Sequence, residues 1–361
     1  MGIDRGGETG VDPLAASAEA EQGAAAVSSS SPGTVLSMYV SRWLFRPDSA
    51  RLLVLITLGM IFTFTSPFFL TTSNLINVLM NAAVVGIVAA PSTLLLVARQ
   101  VDISVGSAVG FAGTTLTVVA ESRFGLGVAV LAAIGAALGI AAINAVAITK
   151  LRVNSLIATL GTLAAFRGAA KLIGDGRSIR LDGFGFLGRS RFAIPGTDVR
   201  LPVAVLILLA VTLLFGLMMR YTRYGLHMYA MGANPKAARL AGVSLERNVV
   251  IAFALSGLSV ALGSFILVSS IGATAPTTGM GLELLAITGV ILGGASLSGG
   301  RGTMGGTLVA ILILAVLDNG LTLMRVTSFW QEVVRGGLLV TAVAFDQLRM
   351  RRGKPEVRFE L

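Results

Sequence analysis

Long apolar runs separated by short polar breaks dominate this chain. They lie near 51–70, 75–97, 103–121, 127–149, 155–173, 202–219, 249–270, 283–296, 303–321 and 329–347. Roughly 18–22 apolar residues suffice to carry a helix across the hydrocarbon core. The pattern predicts an all-α polytopic membrane protein with about ten transmembrane helices. The run at 283–296 is the shortest of them. Gly and Pro inside the runs are normal for membrane helices.

Basic residues sharpen the picture. Arg42, Arg46 and Arg51 precede the first run, and Lys150 and Arg152 separate the fourth from the fifth. Arg220, Arg223, Lys236, Arg239 and Arg247 separate the sixth from the seventh, and Arg349, Arg351, Arg352, Lys354 and Arg358 follow the last. An even number of spans with both termini cytoplasmic puts all four clusters inside. The loop 174–200 opposes this, because it is outside by parity yet holds Arg177, Arg180, Arg189, Arg191 and Arg200 beside Asp175, Asp182 and Asp198. Residues 1–50 read as a disordered cytoplasmic tail, rich in Gly, Ala, Ser and acidic residues to about residue 34, then an interfacial lead-in carrying Trp43 and Phe45. Residues 51–348 form the membrane domain, with a cytoplasmic loop at 220–248, and 349–361 a basic cytoplasmic tail.

Composition agrees. Of the 361 residues 54% are hydrophobic and 13% charged, against roughly 25% charged in soluble domains, and mean hydropathy is +0.84. The absence of cysteine excludes disulfides, iron–sulfur clusters and thiolate zinc sites. His227 is the single histidine, so no histidine metal cluster forms. With no paired catalytic carboxylates at a recognisable spacing, a membrane-embedded enzyme is disfavoured, and no catalytic or metal residue is assigned. The net charge of +10 reads as the positive-inside rule rather than nucleic-acid binding.

The chemistry-bearing stretches are few. Gly106/Gly110, Gly135/Gly139 and Gly302/Gly306 repeat at four-residue spacing and predict close helix packing. In the cytoplasmic loop, Asn234 suits an N-cap, Pro235 the first helical position and Gly242 the left-handed residue past the end. The enclosed helix, Lys236, Ala237, Ala238, Arg239, Leu240 and Ala241, is about two turns long and needs a partner surface to be stable. Ala237, Leu240 and Ala241 make an apolar face, and Lys236 and Arg239 a basic edge. Such a helix either lies on the bilayer or seats in a groove of another protein. Asp102, with Ser104 and Ser107, sits in a polar break and either lines a pathway or caps the next helix. Glu283 opens an apolar run and either meets a solute or stabilises that helix start. Arg167 and Lys171 are expected to snorkel, Asp318 and Asn319 to make an interhelical contact, and Glu332 and Arg335 to pair along one helix. The chain has no G-x-x-x-x-G-K-[ST] loop; "GGASLSGGRGTMGG" instead predicts a tight turn between spans.

Taken together, "TRYGLHMYAMGANPKAARLAGV" (222–243), "VDISVGS" (101–107), "NSLIATLGTLAAFRG" (154–168), "PTTGMGLELLAITGVILGGASLSGGRG" (276–302) and "DNGLTLMRVTSFWQEVVRGGLLVTAVAFD" (318–346) resemble the ribose-permease family of bacterial ABC importers, from about 50 to 348. The resemblance implies a permease subunit of the bacterial inner membrane, importing a monosaccharide (pentose or deoxyhexose) or similar small solute by alternating access. It implies a second permease subunit, a periplasmic or lipid-anchored solute-binding protein, and a cytoplasmic ATPase docked on residues 234–242 that uses ATP and Mg. It implies no cofactor bound by this chain, and lipid is its surroundings. The pathway residues would include Asp102, Ser104, Ser107 and Glu283. Two departures stand out. Arg99 and Gln100 occupy positions where ribose permeases typically carry a Gly pair, and Leu285 one where many relatives carry Asp. Both point toward the branch with rhamnose permeases and permeases for the furanose-like quorum-sensing autoinducer; import of that autoinducer is the alternative within the class. From a different class, an ion-coupled secondary transporter acting alone would need midplane ionisable groups on broken helices.

Overall fold

A computed structural model describes residues 47–193 and 200–352. The expected N-terminal tail, Trp43, Phe45 and the end of the basic tail lie outside the described residues, as does Asp198. The fold is almost wholly helical. Its main helices are α1 (Pro47–Thr65), α2 (Thr72–Val97), α3 (Val105–Glu121), α4 (Gly125–Thr149) and α5 (Ser155–Ile173), followed by α7 (Val203–Tyr221) after the short α6 (Phe186–Arg189). Then come α8 (Arg223–Ala233), α9 (Pro235–Leu240), α10 (Leu245–Ile271), α11 (Leu282–Leu292), α12 (Met304–Leu323) and α13 (Ser328–Arg352). Each of the ten apolar runs falls on a helix. Six helices, α2, α4, α5, α7, α10 and α12, are long and apolar enough to cross a membrane; α3, α11 and the apolar part of α1 are shorter. The chain is a multi-pass membrane protein.

The core forms where α2 and α10 pass through the bundle. α2 packs on α7, α10, α11 and α12, while α10 also packs on α3 and α4. Ile87, Val88, Leu94, Leu95, Phe253 and Ile266 are among its fully buried side chains. Helix ends are set by local chemistry. Thr71 accepts from the Asn74 amide to start α2, and Asn154 from the Leu156 amide to start α5. Pairs of hydroxyls and amides tie helices together inside the apolar bundle: Thr93 with Thr307 at 2.9 Å, Thr117 with Thr274 at 2.9 Å, and Asn74 with Asn319 through two bonds of 2.9 and 2.8 Å. Each satisfies groups that hydrocarbon cannot.

At one end, β1 (Ile179–Arg180) pairs antiparallel with β4 (Ala273–Thr274), Ile179 opposite Thr274. β2 (Arg191–Ala193) and β3 (Arg200–Pro202) form a hairpin, Phe192 opposite Leu201. The basic loop after α5 is thereby held at the end of the bundle reached by the C-terminus of α10, opposite α9.

Sequence expectations fail in three places. A Cβ at Gly135 or Gly139 would meet open space within this chain, and Gly302 lies in a loop rather than a helix, so among the described residues Gly106/Gly110 is the pair that makes the expected close approach along a helix. Arg335 pairs not with Glu332 but with Asp318 on α12, at 2.9 Å. Arg167 does not snorkel: it is 23% exposed and binds Glu283. Spacing along one helix cannot reveal a partner brought in by another.

Candidate functional site: a short capped helix and two broken helices

The loop 222–247 folds into two helices. Thr222 caps α8 by accepting from the Gly225 amide at 3.1 Å. Asn234 ends α8 and starts α9, its side-chain oxygen accepting from the amides of Lys236 and Ala237, both at 3.1 Å. Pro235 occupies the first helical position. Gly242 is left-handed, φ 82°. The amides of Gly242 and Val243 donate to Arg239 and Ala238, both at 3.0 Å, closing the C-terminus. Ala238 is buried and ties α9 to the bundle, within an apolar cluster that includes Met228, Met231, Val249 and Phe253. Ala237 and Ala241 are exposed, and Leu240 is 91% exposed. A leucine so open leaves its apolar surface in water unless something covers it. Beside α9, a cleft of about 540 Å³ opens between Ile148, Arg152, Arg239 and Leu245. It sets α9 apart from the turn after α4.

This unit is locked to the membrane helices by backbone contacts. The Gly300 amide donates to the carbonyl of Val97, the last residue of α2, at 2.8 Å. Gly232 presses against both groups, so closely that a Cβ there would collide with them. Arg99 donates to the Ala233 carbonyl at 3.2 Å. The Tyr229 hydroxyl donates to the Gly302 carbonyl at 2.7 Å and that of Tyr224 to the Asn248 carbonyl at 3.0 Å. Burial pushes both phenols up, so they remain donors throughout the physiological range. The glycine-rich stretch forms the turn expected between α11 and α12. Arg99, one of the two departures, touches α8 at the base of the bundle rather than the interior; the other, Leu285, is half-buried on α11.

From that junction the chain turns inward. Residues 98–104 leave α2 and carry Asp102 to Ser256, midway along α10. Asp102 is buried, accepting from the Ser104 amide at 3.0 Å, the Ser104 hydroxyl at 2.6 Å and the Ser256 hydroxyl at 2.9 Å. It therefore fixes the turn before α3 and ties that turn to α10, while the first turn of α3 itself has no side-chain cap. The network extends through Ser104 to Asn144 on α4, and from Asn144 to Thr162 on α5. Among the described residues, the Ser107 hydroxyl bonds only back to the Ser104 carbonyl, at 2.9 Å. Asn144, Thr162 and Ser256 give no sequence signal, since single polar residues in apolar helices are common.

α11 is also broken. After β4 the chain runs down the face of α3, Thr274 against Thr117 and Thr278 against Gly110. Gly279 reaches Gly106, and α11 then starts inside the bundle. Glu283, in its first turn, lies over Gly106, where any side chain would strike the carboxylate. Its carboxylate accepts from Arg167 of α5 at 3.2 and 3.4 Å. Thus Glu283 at the start of α11 lies against Gly106 in the first turn of α3, Asp102 and Ser104 bond instead toward α10 and α4, and residues 234–242 stand at one end of the bundle.

A family described as branched-chain amino acid transport system / permease component matches residues 74–343. The chain is 36% identical over 323 residues to the probable ABC transporter permease protein YphD of Escherichia coli K12, covering 90% of this chain and 96% of that protein. It is 34% identical over 314 residues to the ribose import permease protein RbsC of the same strain, covering 85% and 95%. To that strain's L-arabinose transport system permease protein AraH it is 37% identical over 286 residues, covering 79% and 86%. The chain belongs to the branched-chain amino acid transport system / permease component family.

Proposed function

We propose that the chain is the membrane subunit of an ATP-driven importer of a monosaccharide, a pentose or deoxyhexose, or a similar small neutral solute. The relatives named above for ribose and L-arabinose support a sugar rather than an amino acid. The observation that carries the reading is α9: a helix fixed at both ends by caps, anchored by Ala238, and presenting Leu240 outward. An ATPase covering Leu240 receives a rigid lever. Force applied there passes through Gly232 and Gly300 to the end of α2 and to residues 98–104. The pathway runs past the starts of α3 and α11, which open and close as two copies, or two related subunits, rock. The apolar helices form the membrane bundle in the bacterial cytoplasmic membrane with both termini inside, the short α11 crossing only part of it. A binding protein delivers solute at the opposite end, and the ATPase uses ATP and Mg.

Buried carboxylates at broken helices also suit an ion-coupled carrier, and the two readings part on energy source. The tagged chain, purified from native membranes in mild detergent, is expected to bring an ATPase with a phosphate-binding loop. In vesicles the complex takes up D-ribose or L-arabinose only with ATP. Leu240→Asp loses the ATPase and uptake but keeps its thermal melting profile. A chain that purifies alone and transports on an ion gradient overturns the importer reading.

A further inference from the structure

We propose that Arg167 and Glu283 form a breakable ion-pair gate on the solute path, and that the same two groups bind hydroxyls of a neutral polyhydroxylated solute as it passes. This rests on the importer reading. The pair lies inside the bundle. Glu283 sits where α11 begins within it, and Arg167 lies twelve positions beyond Ser155 and six before Ile173 on α5, about 18 Å from one end of that helix and about 9 Å from the other at 1.5 Å per residue. Charges at such depth are tolerated when paired or facing water.

The pairing is incomplete. Only Nη2 of Arg167 bonds the carboxylate, at 3.2 and 3.4 Å, longer than the 2.7–2.9 Å usual for charged partners. Among the described residues, no hydrogen bond uses its Nε or Nη1. The carboxylate side chain is 8% exposed and the guanidinium side chain 23%, so the open end of the site is the donor end. It opens beside the exposed small residues Ala164 and Gly168 of α5. Facing lipid, those donors would be unsatisfied at high cost; facing a water-filled path they are free to bind oxygen.

The pair also spans helices that are otherwise held apart. α5 packs on α3 and α4, and α11 on α12, α2, α13 and, less, α3, so among the described residues the two meet only through α3 and this pair. The ion pair crosses the first turn of α3 above Gly106. It can therefore break without unpacking a helix pair. A polyol supplies hydroxyl hydrogens to the carboxylate and hydroxyl oxygens to the guanidinium, replacing both halves at once. An apolar solute replaces neither, and an ion replaces one and strands the other.

The test uses the purified complex in vesicles with D-ribose and L-arabinose as probes. The gate requires that Arg167→Gln and Glu283→Gln raise ATP-independent leak of preloaded sugar about tenfold and cut ATP-driven uptake at least tenfold. The exchanged pair R167E/E283R restores the seal but not uptake. Restoration of both makes the pair a structural brace and overturns the proposal, as do variants with unaltered leak and uptake. No ATP-driven uptake by the unaltered complex overturns the importer reading, and the gate with it. Should the variants fail to assemble, the chain's lack of cysteine permits a test without them. Ala164→Cys is expected to react with a membrane-impermeant thiol reagent at least tenfold faster than Leu213→Cys on the exposed apolar face of α7, and sugar to slow it. Equal rates, with no protection by sugar, sink the gate.

Discussion

Arg99 carries a backbone that suits a smaller residue. Its φ is 61°, the left-handed region that costs a side chain about 1–2 kcal/mol. Family resemblance points to glycine there, and the turn after α2 supplies the reason. The arginine offsets part of that cost through its bond to Ala233. Arg99→Ala keeps the strain and loses the bond, whereas Arg99→Gly loses the bond and relieves the strain. The glycine variant should be more stable than the alanine variant by about 1 kcal/mol, read as the order of their melting temperatures in detergent. The departure was legible in the sequence. Its site at the base of the bundle was not, because one-dimensional order does not say where a turn lands.

At the level of elements, the ends of helices were more readable than their partners. Asn234, Pro235 and Gly242 framed α9 because caps act through neighbours two or three positions away. Arg335 was misassigned for the opposite reason. Its partner Asp318 is on a different helix, and the two hold α13 to α12 through side chains that are 32% and 20% exposed. Losing one partner leaves a charge among apolar helices. Asp318→Leu or Arg335→Leu should each destabilise the docking of α13 by about 1–3 kcal/mol. The double variant should recover most of that loss, because no charge is stranded. Limited proteolysis in the turn at 324–327 reads the difference. Equal cleavage in single and double variants would show that the pair does not hold α13.

Across the whole molecule, the short helices α8 and α9 and the interior meet at a backbone junction. Gly232, Val97 and Gly300 approach so closely that no side chain fits at Gly232. Gly305, at the start of α12, has open space around its missing side chain. Gly232→Ala should lower the melting temperature and uptake, while Gly305→Ala should be neutral or stabilising by about 0.5–1 kcal/mol. Melting and uptake of the two variants side by side decide the matter. Equal behaviour would remove the junction from the path of force.

The sequence by itself determined the helices, their apolar faces, the caps of α9 and the family, because each is written in neighbouring residues or in motifs in a fixed order. Only the tertiary structure decided that Asp102 meets Ser256, that Glu283 meets Arg167, and that a side chain at Gly135 or Gly139 would face open space within the chain. Those outcomes depend on where two broken helices begin in depth. That position is set by packing across the bundle and by the need to satisfy polar groups inside an apolar interior, which the spacing of residues along one helix does not encode.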